Sequence, residues 1–172
     1  GHGRAETCAA GRRLPEVDDH AGHHTSGNRL LAALPGVELE RLRPRIEEVR
    51  LERGAILADA EQPFEHVYFP HDSVVSLVSL MQDGRVAETP TIGREGVVGF
   101  EALLHSETAF KRQIVQAPGR PSRIEYGWLL PALSDLHQLR RVMCCYVRAF
   151  IGQVLQSVAC NGLHSVDVRC SR

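Results

Sequence analysis

The chain has 172 residues, 43% of them apolar and 24% charged, with a formal net charge of −1. That is the balance of one globular domain of ordinary size, large enough to bury a core without disulfides or metal. The near-neutral charge argues against nucleic-acid binding through bulk positive charge. No apolar run approaches the ~20 residues that span a bilayer. Gly1 to Gly27 has no apolar h-region, so no export signal is read and a cytoplasmic, reducing setting is expected. Five cysteines, Cys8, Cys144, Cys145, Cys160 and Cys170, show no CxxC spacing and read as free thiols.

Residues 1–27 have no apolar period and read as a disordered leader; its His20, His23 and His24 are not expected to hold metal. Ser26 or Asn28 can cap a short helix with Leu30, Leu31 and Leu34 on one face, stopped by Pro35 and Gly36. Val37 to Glu48 follows as an amphipathic helix carrying Leu39, Leu42 and Ile46, with a break or kink at Pro44. From Val49 the period becomes strand-like. Short strands are expected at Val49 to Leu51, Ala55 to Leu57, His66 to Phe69, Ser73 to Met81, Val86 to Ile92, Ile114 to Ala117 and Ser122 to Ile124. Asp83 and Gly84 signal a hairpin, and Pro90 an edge position or bulge. So many short strands and turns suggest a barrel or jelly roll. Trp128 to Leu133 reads as a short helix and Leu136 to Leu163 as a long one.

Several local strings then converge: Gly54 to Leu57 (GAIL), His66 to Pro70 (HVYFP), Val75 to Val78 (VSLV), the Asp83-Gly84 turn, Gly93 to Gly99 (GREGVVG) and Ala159 to Val166 (ACNGLHSV). In this order the chain resembles, from Asn28 to Arg169, the sensor half of the Crp/Fnr family of bacterial transcription regulators. The resemblance implies an α+β fold: an antiparallel β jelly roll with flanking helices and a long C-terminal dimerisation helix. It implies a sensor domain over residues 28–133, a dimerisation helix over 134–164, and in 165–172 the start of a DNA-binding head that the chain does not contain. The implied partners are a second copy of the chain, an unidentified small-molecule effector, and DNA only through that head. No membrane association and no enzymatic activity are expected. The competing reading is a stand-alone cyclic-nucleotide- or anion-binding module without a DNA function.

In that family a Gly-Glu pair opens a short helix and an Arg-Ser/Thr pair follows about ten residues on. The glycine lets backbone N–H groups approach a phosphate, and the arginine fork pairs with it. Here Gly99 and Glu101 flank Phe100, which stands where the resemblance expects the glycine. Lys111 takes the arginine position and Arg112 the hydroxyl position; a one-residue slip would instead bring Arg112 to the phosphate. The competing picture is a filled roll, with Phe100 and Phe110 inside and Lys111 and Arg112 solvated. Val154 and Leu155 stand where cAMP-responsive members carry hydroxyls for the base. A cyclic nucleotide is therefore disfavoured, and no cofactor is expected.

Along the long helix Cys144, Val147, Ile151, Val154, Val158 and Asn161 recur at alternating three- and four-residue steps, a heptad seam that predicts a homodimer. Tyr146, Ala149, Phe150 and Gln153 lie to one side, where the helix would pack on the roll. The cysteines lack the clustering of an iron–sulfur site, and no His-x-His pair with a nearby carboxylate marks a metal enzyme.

Overall fold

The computed structural model describes residues 16–17, 27–79 and 90–163. Among the described residues eight strands form two four-stranded antiparallel sheets. β1 (Glu16–Val17), β2 (Glu47–Arg50), β8 (Ser122–Glu125) and β4 (His66–Phe69) make one, in that order. β3 (Ile56–Ala58), β7 (Arg112–Ala117), β5 (Val74–Val78) and β6 (Thr91–Ile92) make the other. The core includes Val67, Phe69 and Ile124 from the first sheet and Val75, Leu77 and Val115 from the second. This is the expected antiparallel roll.

Helices α1 (Arg29–Ala32), α2 (Gly36–Leu42), α3 (Tyr126–Ala132) and α4 (His137–Leu163) flank it. Asn28 is the cap of α1: its Oδ1 accepts from Leu30 N at 2.9 Å and Leu31 N at 3.2 Å. Its Nδ2 donates to the carbonyls of Pro70 and Gly96, both at 2.9 Å. One fully buried amide thus ties α1 to two loops of the roll and leaves no orphan polar atom of its own.

The structure corrects the second helix. It ends at Leu42, Arg43–Arg45 form a 3₁₀ turn, and Glu47 already lies in β2. Pro44 sits in the first turn of that 3₁₀ segment, where its missing N–H costs little. Beyond it, β8 offers a backbone edge, pairing Glu47 with Arg123 and Glu48 with Ser122. Tertiary pairing therefore wins over the helical period of Ile46 to Glu48. Within the expected leader, Glu16–Val17 is a strand paired with Val49 and Arg50, on the otherwise open edge of β2. The remaining leader positions from Gly1 to Ser26, the Asp83-Gly84 hairpin, the Asn161 side chain and the 165–172 segment lie outside the described residues. Pro90 borders β6, which ends its sheet among the described residues, and its carbonyl accepts from Leu77 N at 3.1 Å.

The first half of α4 lies on the roll through Leu139, Met143, Val147 and Phe150. Its start is capped from α2: Gln138 N and Leu139 N both donate to the Glu38 carboxylate at 2.9 Å. Two of the four orphan N–H groups at the head of the helix are satisfied by one side chain a hundred residues upstream. Among the described residues, no helix is long and apolar enough to cross a membrane.

Candidate functional site

The site is built where the chain leaves the Tyr68–Val98 bridge. Tyr68 N donates to Val98 O at 2.9 Å and Val98 N to Tyr68 O at 2.8 Å, which lays Val98 along the edge of β4. Gly99 then turns the chain at φ 87°, and a Cβ there would lie 3.3 Å from the Val67 backbone. Left-handed backbone and close approach both require glycine at this point. A 3₁₀ turn, Phe100–Leu104, follows directly, so Phe100 opens the turn and the glycine precedes it by one residue.

Glu101 points inward and is only 1% exposed. Its Oε1 accepts from Phe110 N at 3.2 Å and, more loosely, from Gln113 Nε2 at 3.4 Å. Its Oε2 is buried with no partner among the described residues. Burial raises its pKa above the ordinary carboxylate range, partly opposed by the backbone and Gln113 hydrogen bonds. The group is thus biased toward its neutral, protonated form.

The residues expected around it divide. Gly99 and Glu101 come together in the turn. Lys111 is exposed at a bend before β7. Arg112 lies on the face of β7 opposite the buried Gln113 and Val115, and its Nε donates to Asp59. Successive strand residues point to opposite faces, so the side chain that β7 presents to Glu101 is Gln113. The filled-roll picture is corrected at two positions: Phe100 is buried at 6% exposure, but Phe110 is 43% exposed, and Arg112 is half-buried and paired with Asp59 rather than solvated.

Phe100 links this turn to the long helix. Its ring meets Phe110 at 6.4 Å and Phe150 at 5.4 Å, and Phe150 meets Tyr146 at 5.8 Å. Tyr146 rests on Gly96 so closely that a Cβ there would come within 2.5 Å of its ring. Burial raises the Tyr146 pKa, and the Glu95 and Glu101 carboxylates raise it further. Gln113 and Tyr146 escaped the sequence reading as site residues. For Gln113 the signal was available: it lies two residues before the apolar Val115 and so on the same strand face. For Tyr146 helical spacing gave the face that packs on the roll, but its contact with Gly96 depends on docking.

The expected seam splits as well. Val147 is buried in its own domain and Val154 is half-buried, both packing on the roll. Ile151 at 51% and Val158 at 64% remain exposed, as does Cys144. Leu155, read as base-facing, is 64% exposed and joins this outer stripe. The physical reason is the angle between the two rows of a heptad: at about 100° per residue, steps of three and four set Val147 and Val154 roughly 40–60° around the helix from Cys144, Ile151 and Val158, so one row meets the roll and the other does not. Among the described residues, no three His, Cys, Asp or Glu gather as metal ligands.

No family model matches the chain, and no curated protein matches it. Solved structures do. The chain is similar to the c-di-GMP-responsive global regulator CLP of Xanthomonas campestris, with TM-score 0.67 and 15% identity over 78% of this chain and 68% of that one. A cyclic nucleotide-binding domain from Methylobacillus flagellatus gives TM-score 0.63 and 11% identity over 77% of each chain. The N-terminal domain of a transcriptional regulator from Streptomyces coelicolor A3(2) gives 0.56 and 21%, over 76% of this chain and 92% of that one. The chain therefore has the cyclic-nucleotide-binding roll found in Crp/Fnr-type transcription regulators, over most of its length.

Proposed function

We propose that the chain is the signal-sensing and dimerisation unit of a Crp/Fnr-type transcription regulator, and that its Glu101 site does not take a cyclic nucleotide. The observation that carries the reading is the aromatic series Phe110, Phe100, Phe150 and Tyr146, which joins the Glu101 turn to α4. A ligand that moves the turn must move Phe100, and Phe100 cannot move without repacking Phe150 on the helix. The roll fold, shared with ligand-binding domains of regulators, supports the same role. The outer stripe of Ile151, Leu155 and Val158 supports pairing of α4 with a second copy.

The disfavoured nucleotide follows from charge. Arg112 is engaged by Asp59, Lys111 stands out in solvent, and Glu101 faces the neutral amide of Gln113. A cyclic phosphate brought there would meet a buried carboxyl group and no guanidinium fork. Losing such a charge-assisted pair costs about 1.5–3 kcal/mol, or roughly one to two decades of affinity. The test is calorimetric titration of cAMP and cGMP into the millimolar range. Saturation below about 10 µM is not expected; micromolar binding by either would overturn the reading. Sequence-selective DNA binding is not expected of this chain, given its net charge of −1. A salt-sensitive, sequence-selective gel shift would contradict that.

A further inference from the structure

A groove of about 410 Å³ runs between α1, the segment around Glu95 and one face of α4. Its size falls in the range of small-molecule sites. Val142, Tyr146, Ala149 and Gln153 supply the α4 side, at steps of four, three and four, and Leu30 and Ala33 face them from α1. At about 100° per residue, Ala149 and Ile151 point about 200° apart. A second copy seated on the Ile151, Leu155 and Val158 stripe would leave the groove open.

The chemistry of the lining is selective. Among the described lining residues Glu95 is the only charged side chain. Gly93 N donates to Glu95 Oε1 at 3.1 Å, which fixes the carboxylate, and no ion pair among the described residues engages it. Beside it, the Tyr146 and Phe150 rings lie 35° apart and form an aromatic wall. One fixed, unpaired carboxylate next to aromatic faces and aliphatic side chains is matched by an organic cation with an apolar body. An anion would be repelled by the Glu95 carboxylate and, among the described lining residues, would find no cation to offset it. Burial and the neighbouring carboxylates keep the Tyr146 hydroxyl protonated, so it adds a neutral donor and no competing charge.

We propose that this groove is a second ligand site, separate from Glu101, which takes a small arylalkyl ammonium ion with its ammonium group at Glu95. Such a ligand touches α1, the Glu95 segment and α4 together, and so tightens the seating of α4 on the roll. The site stands whether or not the Glu101 turn binds anything.

Phenethylamine is the probe, titrated into the full chain and followed by amide NMR, with 3-phenylpropionate and 2-phenylethanol as anionic and neutral counterparts. Phenethylamine should saturate with an affinity on the order of a millimolar or tighter, shifting the amides of Ala33, Glu95 and Ala149. Phenylpropionate should bind at least about tenfold more weakly. Glu95→Gln should weaken phenethylamine about tenfold while leaving the weak binding of phenylethanol unchanged. Ala149→Trp fills the groove and should abolish the shifts in a protein whose spectrum stays dispersed. Equal binding of amine and acid, no saturation by the amine at tens of millimolar, or full affinity in either variant would overturn the site.

Discussion

The two halves of α4 are one helix with opposite surroundings. From His137 to Phe150 the helix is held on the roll: Glu38 caps its head, and Leu139, Met143, Val147 and Phe150 are buried. From Ile151 to Val158 every described residue except the half-buried Val154 is exposed, Leu155 and Val158 among them. Both halves carry apolar residues at helical spacing, and among the described residues the roll covers those of the first half and, of the second, only part of Val154. The contrast teaches that apolar periodicity reports that a face is to be buried, and the fold decides by what. It also places the aromatic contact of Phe100 with Phe150 at the boundary between the halves, where a change at the Glu101 turn would act on the projecting segment with the greatest reach.

The largest effect is expected at the boundary between the two halves of α4. Phe150→Ala should cost about 3–5 kcal/mol of unfolding free energy, because it removes a buried ring and leaves a cavity between α4 and the Phe100 turn. Denaturant titration reads this; a loss below about 1 kcal/mol would mean that the first half is not docked as described. One residue on, Ile151→Asp should leave the fold of each chain intact and disrupt pairing by several kcal/mol, because it buries a charge against its symmetry mate. Sedimentation at tens of micromolar should show wild-type dimer and variant monomer. A monomeric wild type would remove the second-half interface altogether.

Glu101→Gln sharpens the comparison through pH. The folded-state pKa of Glu101 is raised, so protonation favours the fold, and the associated stability is complete below the unfolded value of 4.5 and drains away as pH rises above it. The glutamine variant should lose that slope and be the more stable protein at pH 7, because a neutral amide replaces a carboxylate whose charged form burial disfavours. Parallel pH profiles for the two proteins would contradict the buried, proton-favouring environment. Smallest is Glu38→Ala, which strips two N–H groups at the head of α4 of their acceptor. It should cost about 1 kcal/mol, and glutamine at this position should restore only part of that. An unchanged midpoint would show that water caps the helix equally well.

Much of the architecture was legible because it rests on local chemistry. His66 to Phe69 matched its strand at both ends, Asn28 capped its helix, and the glycine-punctuated run ending at Gly99 delivered the left-handed turn that Glu101 needs. Turn glycines, caps and short β-branched runs act over a few residues, so the chain carries them wherever it folds. The geometry around Glu101 was legible only in part: its place in the turn after Gly99 follows the sequence, whereas its neighbour on β7 is Gln113, with Arg112 paired to Asp59 on the other face and Lys111 exposed.

Two decisions belonged to the tertiary structure alone. In β7 the pairing with β3 and β5 sets which side chains face inward, and a slip of one residue exchanges every partner across the strand. In α4 the stripe from Cys144 to Val158 satisfies a heptad on paper, yet the roll takes Val147 and part of Val154 for its own core and leaves Ile151, Leu155 and Val158 outside. The amino-acid sequence by itself determined that a roll would form, where strands such as His66–Phe69 lie, that glycines punctuate the segment ending at Gly99, and that the last helix has two apolar faces. Which face meets the roll, and which polar group meets Glu101, depends on register and docking angle, and those are set by contacts between residues far apart in the chain.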